Sequence, residues 1–281
     1  NAGTVEITGT GSIDNDIFGN HQLTVDANQT LTLDGTAITG GSITDTGTIN
    51  VDGTDTLKLS GVALSGGKIT NAGTVEITGT GSIDNDIFGN NQLTVDANQT
   101  LTLDGTAITG GTVTDTGTIN VDTNDTLKLS GVALSGGTIT NAGIIEITGT
   151  GSIDNDIFGN AQLTVDANQT LTLDGTAITG GSITDTGTIN VDGTDTLKLS
   201  GVALSGGTIT NAGTVEITGT GSIDNDIFGN NQLTVDASQI LTLDGSAITG
   251  GTVTDNGTIN VDTTDTLKLS GVALSGGKIT N

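Results

Sequence analysis

Residues 1–20 read NAGTVEITGTGSIDNDIFGN, and the same twenty letters return at residues 71–90 and 211–230. Residues 141–160 differ from them at two positions only. The chain as a whole follows this period, and its copies are residues 1–70, 71–140, 141–210 and 211–280. A long repeat at a fixed period is typical of stacked architectures, in which each unit buries its apolar face against its neighbours. We therefore predict a single continuous solenoid over residues 1–281.

Each copy contains a shorter echo. Residues 40–65, GGSITDTGTINVDGTDTLKLSGVALS, can be laid over residues 66–109 once an interruption is removed. The interruption is residues 78–95, TGTGSIDNDIFGNNQLTV. This pattern indicates an ancestral coil of about 26 residues and a turn of the solenoid that was added later. We predict about three turns per copy, divided at residues 65 and 90, and about twelve turns in all. The alternative is two larger turns per copy.

The composition favours short strands and sharp bends. The chain has 46 Gly, no Pro, Cys, Met, Trp or Tyr, and 32% hydrophobic residues. Aliphatic residues recur as i, i+2 pairs, which is the strand pattern; in copy one they are Val5/Ile7, Leu23/Val25, Leu31/Leu33, Ile49/Val51 and Leu57/Leu59. We predict an all-β, right-handed parallel β-helix (β-solenoid), in which Leu31/Leu33 stack near Leu57/Leu59. The alternative is a string of small antiparallel β modules.

The chain resembles a class of very large bacterial surface proteins. The strings that carry the resemblance are TLTLDGTAITGGSITDTGTINV and LKLSGVALSGGKITNAGTVEI. They look like the repeat regions of giant secreted repeat adhesins and of autotransporter-type passengers, and the resemblance covers the whole chain. It implies a right-handed parallel β-helix that serves as a stalk, with adhesive modules elsewhere, and an extracellular or bacterial cell-surface location.

The charge restricts the partners. With 32 acidic and six basic residues the net charge is −26, so we expect no binding to nucleic acid. No segment approaches 18 consecutive apolar residues, so we expect no membrane insertion. The lack of an initiating Met and of a signal peptide predicts an excised interior fragment, whose partners are neighbouring repeats of the same larger protein. The ends carry no polar capping turn, which predicts end-to-end self-association. The recurring aspartates Asp26, Asp34, Asp45, Asp52 and Asp55 predict crowding of like charge between turns.

One segment, SIDNDIFGN, combines two carboxylates with the only aromatic residue of each copy. Carboxylates at i and i+2 on a bent loop can offer oxygen ligands to Ca²⁺. The candidate metal ligands are Asp14, Asp16, Asp84, Asp86, Asp154, Asp156, Asp224 and Asp226. The alternative is a plain turn, because Asp and Asn bond their own backbone without any metal. We expect Phe18 to fill the interior.

The four copies act as natural variants and argue against catalysis. The only histidine, His21, is replaced by Asn91, Ala161 and Asn231, so we predict an exposed loop residue there and no catalytic site. Sugar-cleaving enzymes on β-helices need Arg, Tyr or Trp for binding, and this chain has none of the three. The function we predict is a non-catalytic stalk that projects an adhesive module, without a cofactor. The alternatives are a calcium-stabilised adhesive repeat and an ice-binding solenoid, whose outward threonine rank is interrupted by Glu6 and Lys58.

Overall fold

The computed structural model describes residues 2–281, which form strands and bends but no helix. Two compact units divide the chain, Asn1–Gly143 and Ile144–Asn281, and each is described by itself. Nowhere in residues 2–281 is there a helix of the length and apolarity needed to cross a lipid bilayer.

The first unit holds 22 strands, most of them three to five residues long. They are β1 (Thr4–Ile7), β2 (Gly11–Asp14), β3 (Ile17–Gly19), β4 (Gln22–Val25), β5 (Thr30–Asp34), β6 (Ala37–Thr39), β7 (Ser42–Asp45), β8 (Thr48–Val51), β9 (Thr56–Ser60), β10 (Ala63–Ser65), β11 (Lys68–Asn71), β12 (Thr74–Gly79), β13 (Gly81–Asp84), β14 (Ile87–Gly89), β15 (Gln92–Val95), β16 (Thr100–Thr102), β17 (Ala107–Thr109), β18 (Thr112–Asp115), β19 (Thr118–Val121), β20 (Thr126–Ser130), β21 (Ala133–Ser135) and β22 (Thr138–Asn141).

The second unit repeats this arrangement with 20 strands, of which two are long. They are β23 (Ile144–Ile147), β24 (Gly151–Asp154), β25 (Ile157–Gly159), β26 (Gln162–Val165), β27 (Thr170–Asp174), β28 (Ala177–Thr179), β29 (Ser182–Asp185), β30 (Thr188–Val191), β31 (Thr196–Ser200), β32 (Ala203–Ser205), β33 (Thr208–Asn211), β34 (Thr214–Ile217), β35 (Gly221–Asp224), β36 (Ile227–Gly229), β37 (Gln232–Val235), β38 (Ile240–Asp244), β39 (Ala247–Thr249), β40 (Thr252–Asn260), β41 (Lys268–Ser270) and β42 (Ala273–Thr280).

Three strands make one circuit of each solenoid. In the first unit β1 pairs with β4, β2 with β5 and β3 with β6, so every strand stacks on the one three places earlier. The strand pairs within each unit are parallel, which makes the antiparallel alternative wrong and confirms the β-solenoid. The right-handed sense stays a prediction from strand twist.

The core is a set of stacked aliphatic columns. Alternation along each strand turns one set of side chains inward, and Leu23, Ile43 and Leu64 lie one above another in successive circuits. Each of the three is at most 1% exposed. Branched aliphatics therefore stack on branched aliphatics, as the i, i+2 pairs predicted.

The predicted neighbours of one pair are wrong. Leu31 of β5 stacks on Ile49, whereas Leu57 of β9 stacks on Val75. The two leucines belong to different sides of the circuit, because β5 and β9 are four strands apart and only every third strand shares a side.

The predicted number of turns also needs correction. The register advances 18 to 21 residues per circuit, as in Ile77 against Val95 and Ile43 against Leu64. Each unit has about seven circuits, which gives fourteen and not twelve. The 26-residue echo is not a turn, because residues 40–65 hold four strands, β7 to β10. The inserted residues 78–95 do form one added circuit, since Ile77 lies beside Val95.

Copies and circuits do not share a period. The strands β1 to β11 belong to copy one, and eleven strands make three and two-thirds circuits. The strand TVEI is β1 in copy one and part of β12 in copy two, and β12 stacks on β9 in the column of β3. The same sequence therefore occupies different sides of the solenoid in successive copies of a unit.

Candidate functional site

The predicted metal segment forms a corner of the solenoid. In copy two, Asn85 has φ +59 between Asp84, at the end of β13, and Asp86, just before β14. This left-handed residue reverses the alternation of side chains. Asp84 stays partly exposed, and Asp86 is only 1% exposed.

Asp84 belongs to an outer cluster of carboxylates. Its Oδ2 accepts a hydrogen bond from Ser82 Oγ at 2.8 Å. Burial raises the pKa of Asp84, the Ser82 bond opposes the rise, and the charges of Asp125 and Asp122 add to it. The pKa of Asp104 is likewise raised, first by burial and then by these neighbouring charges, against a hydrogen bond from the Asp122 N–H. We call Asp84, Asp104, Asp122 and Asp125 the acidic corner; it confirms the predicted crowding of like charge.

Asp86 lies in a different environment. Neither of its carboxylate oxygens has a hydrogen-bond partner. Its own backbone is satisfied, since its carbonyl accepts from Ala107 N at 2.9 Å. Burial, followed by the charges of Asp45 and Asp84, raises the pKa of Asp86 to about 8, against a smaller lowering by the nearby Gly66 N–H, whose own hydrogen bond goes to the Asp84 carbonyl.

Asp45 is the buried neighbour of Asp86, and it is fully satisfied. It is 0% exposed at the end of β7, where its Oδ1 accepts from Gly47 N at 2.8 Å and its Oδ2 from Lys68 N at 3.2 Å. The Gly47 bond closes its own corner, and the Lys68 bond ties that corner to the next circuit. Burial raises the pKa of Asp45 while these backbone bonds lower it.

A glycine pair separates the two buried carboxyl groups. Strands β7, β10 and β13 stack in order, so the corners that follow them hold Asp45, then Gly66 and Gly67, then Asp86. Gly67 has φ +85, and a Cβ there would lie 2.6 Å from Asp45 Cγ. The Asp45 carboxyl group thus fills the space that a side chain at position 67 would need.

In the other copies the same loop is either buried or exposed. In the second unit, Asp226 is 1% exposed, its carboxylate oxygens lack hydrogen-bond partners, and burial followed by the charges of Asp185 and Asp224 raises its pKa to about 8. Asp156 is 2% exposed, and Asp154 accepts from Ser152 Oγ at 2.9 Å. In copy one, by contrast, Asp14 and Asp16 are both exposed.

The structure divides the predicted ligand pairs between two environments. Asp84 faces the acidic corner and Asp86 faces Asp45, as their electrostatic neighbours show. Nowhere in the described part of the chain do three His, Cys, Asp or Glu side chains gather closely enough to hold a metal ion. Calcium binding by these loops stays a prediction.

Two further features of the described residues are His21 and a small recess in the second unit. His21 is exposed, as predicted, on the bend before β4. A recess in the second unit is lined by apolar groups, among them Leu199, Val202 and Ile217. It is too small to hold a water molecule, so it is packing space and not a ligand pocket.

Sequence reasoning missed the role of Asp45. The recurrence of Asp45 predicts one of several crowded like charges, whereas the structure has it as a buried corner residue, like its equivalents Asp115, Asp185 and Asp255. Each of them accepts a hydrogen bond from the N–H two residues later. The signal was the string D-x-G after an inward position, which is typical of a side chain that bonds its own turn.

Comparison with known proteins adds little. No family model matches the chain, and no curated protein matches it. Among solved structures it is similar to the crystal structure of a TibC-catalysed, hyper-glycosylated TibA fragment, with 18% identity over 96% of this chain and 97% of that chain and a TM-score of 0.26. A likeness at this level carries no argument about function.

Proposed function

We propose that this segment is a non-catalytic spacer of a larger extracellular bacterial adhesin, a stiff stalk that holds an adhesive module away from the cell surface. The observation that carries the proposal is the mismatch between copy and circuit. Within each unit, equivalent strands of successive copies lie on different sides of the solenoid. A solenoid that binds a flat partner presents the same outward side chains repeatedly along one side. In this chain the buried aliphatic positions repeat in every circuit, and the outward residues of equivalent strands do not fall on one side.

The interior supports a mechanical role. Each strand inside a unit bonds to its neighbours in the circuits before and after it, so backbone hydrogen bonds run along the solenoid axis. Aliphatic columns and corner bonds from buried side chains such as Asp45 and Thr36 hold the circuits in register. Contacts between nearest neighbours are the usual basis of a stable array whose length can vary.

The outer surface supports the spacer over an adhesive or ice-binding face. The outward row that contains Thr24 runs from Glu6 through Thr24 and Thr44 to Ser65 and then Asp84. The charge changes at the first and the last of its four steps, and the side chain becomes smaller from Thr44 to Ser65. A regular rank of identical outward side chains, which ordering of water or a repeated ligand requires, is not built along this row.

The test is to vary the number of copies between an anchor and a tip. The full chain, and the chain without residues 71–140, are each placed between a cell-surface anchor and a small binding domain. We expect the height of the tip above the surface, measured by atomic force microscopy, to fall by about a quarter on deletion, while binding per tip stays constant. A control without the binding domain is expected to show no adhesion above background.

Two results would refute the spacer. The first is adhesion by the control that grows with copy number, because the copies themselves would then bind. The second is a tip height that does not depend on copy number.

A further inference from the structure

The first and the last circuit of the described residues each have a neighbouring circuit on one side only. Strands β1, β2 and β3 pair with β4, β5 and β6, and with no earlier strand among residues 2–281. Strands β41 and β42 pair with β39 and β40, and with no later strand in the same range. We call β1–β3 the leading edge and β41–β42 the trailing edge. Each presents a row of unpaired backbone groups to which a further strand can add.

Both edges expose apolar side chains that are buried wherever another circuit covers them. On the trailing edge Ile279 is 50% exposed, whereas its equivalent in copy one, Ile69, is 2% exposed. On the leading edge Phe18 is partly exposed, whereas its equivalent in copy two, Phe88, is fully buried. Exposed apolar surface of this kind marks a site of interaction. Each edge therefore lacks the partner that its side chains require.

The junctions between copies show which sequence covers each edge. Residues 266–280 are identical to residues 56–70, TLKLSGVALSGGKIT, and residues 1–20 are identical to residues 71–90. In the first unit β9 pairs with β12, β10 with β13 and β11 with β14. The second unit repeats these pairings between β31 and β34, β32 and β35, and β33 and β36. The trailing edge thus has the sequence that, inside the chain, binds the sequence of the leading edge.

We propose that the trailing edge of one copy of the polypeptide of residues 1–281 binds the leading edge of a second copy, in the register of the internal junctions. The two surfaces of this contact are different. Each added copy therefore brings a free edge of its own, and the assembly grows beyond a dimer. This goes beyond the spacer function and does not depend on it.

The internal register specifies the apolar contacts between the two chains. Three apolar pairs stack at the junction of copies one and two: Leu59/Ile77, Leu64/Ile83 and Ile69/Phe88. All six side chains are at most 3% exposed. The equivalent pairs between two chains are Leu269/Ile7, Leu274/Ile13 and Ile279/Phe18. Docking in this register is therefore expected to remove these exposed apolar groups from water, which favours association.

The charges of the two edges are complementary at one position. At the internal junction Lys58 Nζ lies 2.9 Å from Glu76 Oε2. The equivalent residues are Lys268 on the trailing edge and Glu6 on the leading edge, and both are exposed. Opposite charges on directly paired residues of adjacent strands are favourable. This pair supports a contact between unlike edges.

The backbone offers a matching donor and acceptor. At the internal junction Ser82 N donates to Val62 O of the preceding circuit at 3.0 Å. The equivalent donor on the leading edge is the N–H of Ser12, and the equivalent acceptor on the trailing edge is the carbonyl of Val272. The Ser12 N–H faces the side of β2 on which its own chain has no strand. It is therefore available to a second copy.

The first measurement removes that donor. Ser12→Pro in the full chain deletes the N–H and places the proline ring on the docking side, whereas the control Ser12→Ala keeps the N–H. Sedimentation velocity is measured over a wide range of protein concentration. We expect the parent chain and Ser12→Ala to form assemblies that grow with concentration. We expect Ser12→Pro to associate roughly tenfold more weakly, because the Val272 carbonyl is left without its donor.

The second measurement tests the orientation and the register without proline. The chain has no Cys, so Glu6→Cys and Lys268→Cys each introduce a single thiol. Paired residues of adjacent circuits lie close enough for a disulfide bond. We expect air oxidation of a mixture of the two variants to give disulfide-linked dimers, and oxidation of either variant alone to give few. The control mixture combines Glu6→Cys with Lys198→Cys, whose position is exposed but already stacks on Glu216 of its own chain.

Three results would overturn the proposal. The first is a parent chain that stays monomeric at every concentration. The second is a Ser12→Pro variant that unfolds in urea like its parent and also assembles like its parent. The third is a yield of disulfide-linked dimers that is equal in the matched mixture, in the control mixture and in the single variants. If Ser12→Pro fails to fold, the disulfide yields decide the proposal by themselves.

Discussion

Residues 11–20 and 81–90 have identical sequences and different environments. In the first, Asp16 is exposed and Ile17 is 88% exposed. In the second, Asp86 is 1% exposed, and the equivalent isoleucine, Ile87, falls to 60%. The difference is the circuit beneath, because β14 stacks on β11 whereas β3 stacks only on the β6 that follows it. Burial in a solenoid is thus set by the residues one circuit earlier, about twenty positions away in sequence.

The largest expected difference between the two loops concerns their phenylalanines. Phe88 is 0% exposed between Ile69 and Ile108. The prediction that Phe18 fills the interior is wrong for copy one, where this side chain is only partly buried. Phe88→Ala is expected to cost about 3–5 kcal/mol in the free energy of unfolding. Phe18 is partly exposed and has only Ile38 stacked on it, so Phe18→Ala is expected to cost clearly less. Urea unfolding of the two variants tests this, and equal losses would contradict the dependence on the preceding circuit.

A glycine in that preceding circuit is the next test. Gly67→Ala places a side chain where φ is +85 and where Cβ would meet the Asp45 carboxyl group. We expect a loss of about 2 kcal/mol from backbone strain and displacement of that group. Gly53 is the control, because its φ is not positive, a Cβ there meets only Ala72 O at 3.8 Å, and copy two already has Thr123 at the position. Gly53→Ala is expected to leave the free energy of unfolding unchanged. A loss as large as that of Gly67→Ala would show that positive φ and the Asp45 contact are not the reason for the loss at position 67.

Salt tests whether the loops bind calcium in either environment. Burial, followed by the like charges of the acidic corner, raises the pKa of Asp104. Salt screens such repulsion between charges over a Debye length of about 8 Å at physiological ionic strength, so added NaCl is expected to raise the melting temperature. Below pH 6 we expect CaCl₂ of equal ionic strength to raise it by the same amount, and Asp14→Asn with Asp16→Asn in copy one to leave the fold intact. A much larger shift with CaCl₂, lost when the aspartates of the loops are replaced, would establish the predicted calcium site through mass action.

The smallest expected effect concerns an ion pair between Lys58 of copy one and Glu76 of copy two. Lys58 Nζ lies 2.9 Å from Glu76 Oε2, whereas Glu6, the equivalent glutamate of copy one, stacks on Thr24. Lys58 is half exposed, and exposed pairs add little to stability because water and salt screen them. Lys58→Ala is expected to leave the urea midpoint unchanged at physiological salt, with Glu76→Gln as its partner control. A clear loss in both variants, with no further loss when the two are combined, would show that the pair holds the copies together.

The sequence was enough to predict the strands and the buried residues of this protein, but not the arrangement of its corners. Period-two alternation in strings such as TLTLD and TLKLS predicted the strands, and the 18-residue insertion predicted the added circuit, because both depend on local pattern. The turn length was wrong because the 26-residue echo reflects duplication of four strands, whereas a circuit closes after three. The repeat in the sequence does not state how many strands make one circuit of the solenoid.

The candidate site shows the same limit. The string SIDNDI marked Asp84 and Asp86 as a pair, and the left-handed Asn85 sends them to different neighbours. The partner that matters to Asp86 is Asp45, forty-one positions away and in another copy. Only the register of the strands reveals that contact. A sequence comparison aligned on 70-residue copies hides it, since it compares Asp86 with Asp16 and not with Asp45.

The spacing of 18 to 21 residues between stacked neighbours has a consequence for the gene. Near-identical DNA segments invite unequal recombination, which removes or adds a whole segment in frame. The strand TLKLS at β9 stacks on TVEI at β12, and β31 stacks in the same way on β34. After loss or gain of one copy, each remaining strand still stacks on strands whose sequences are the same as before. Loss or gain of a copy can therefore change the number of circuits in a single genetic step, without an intermediate that fails to fold.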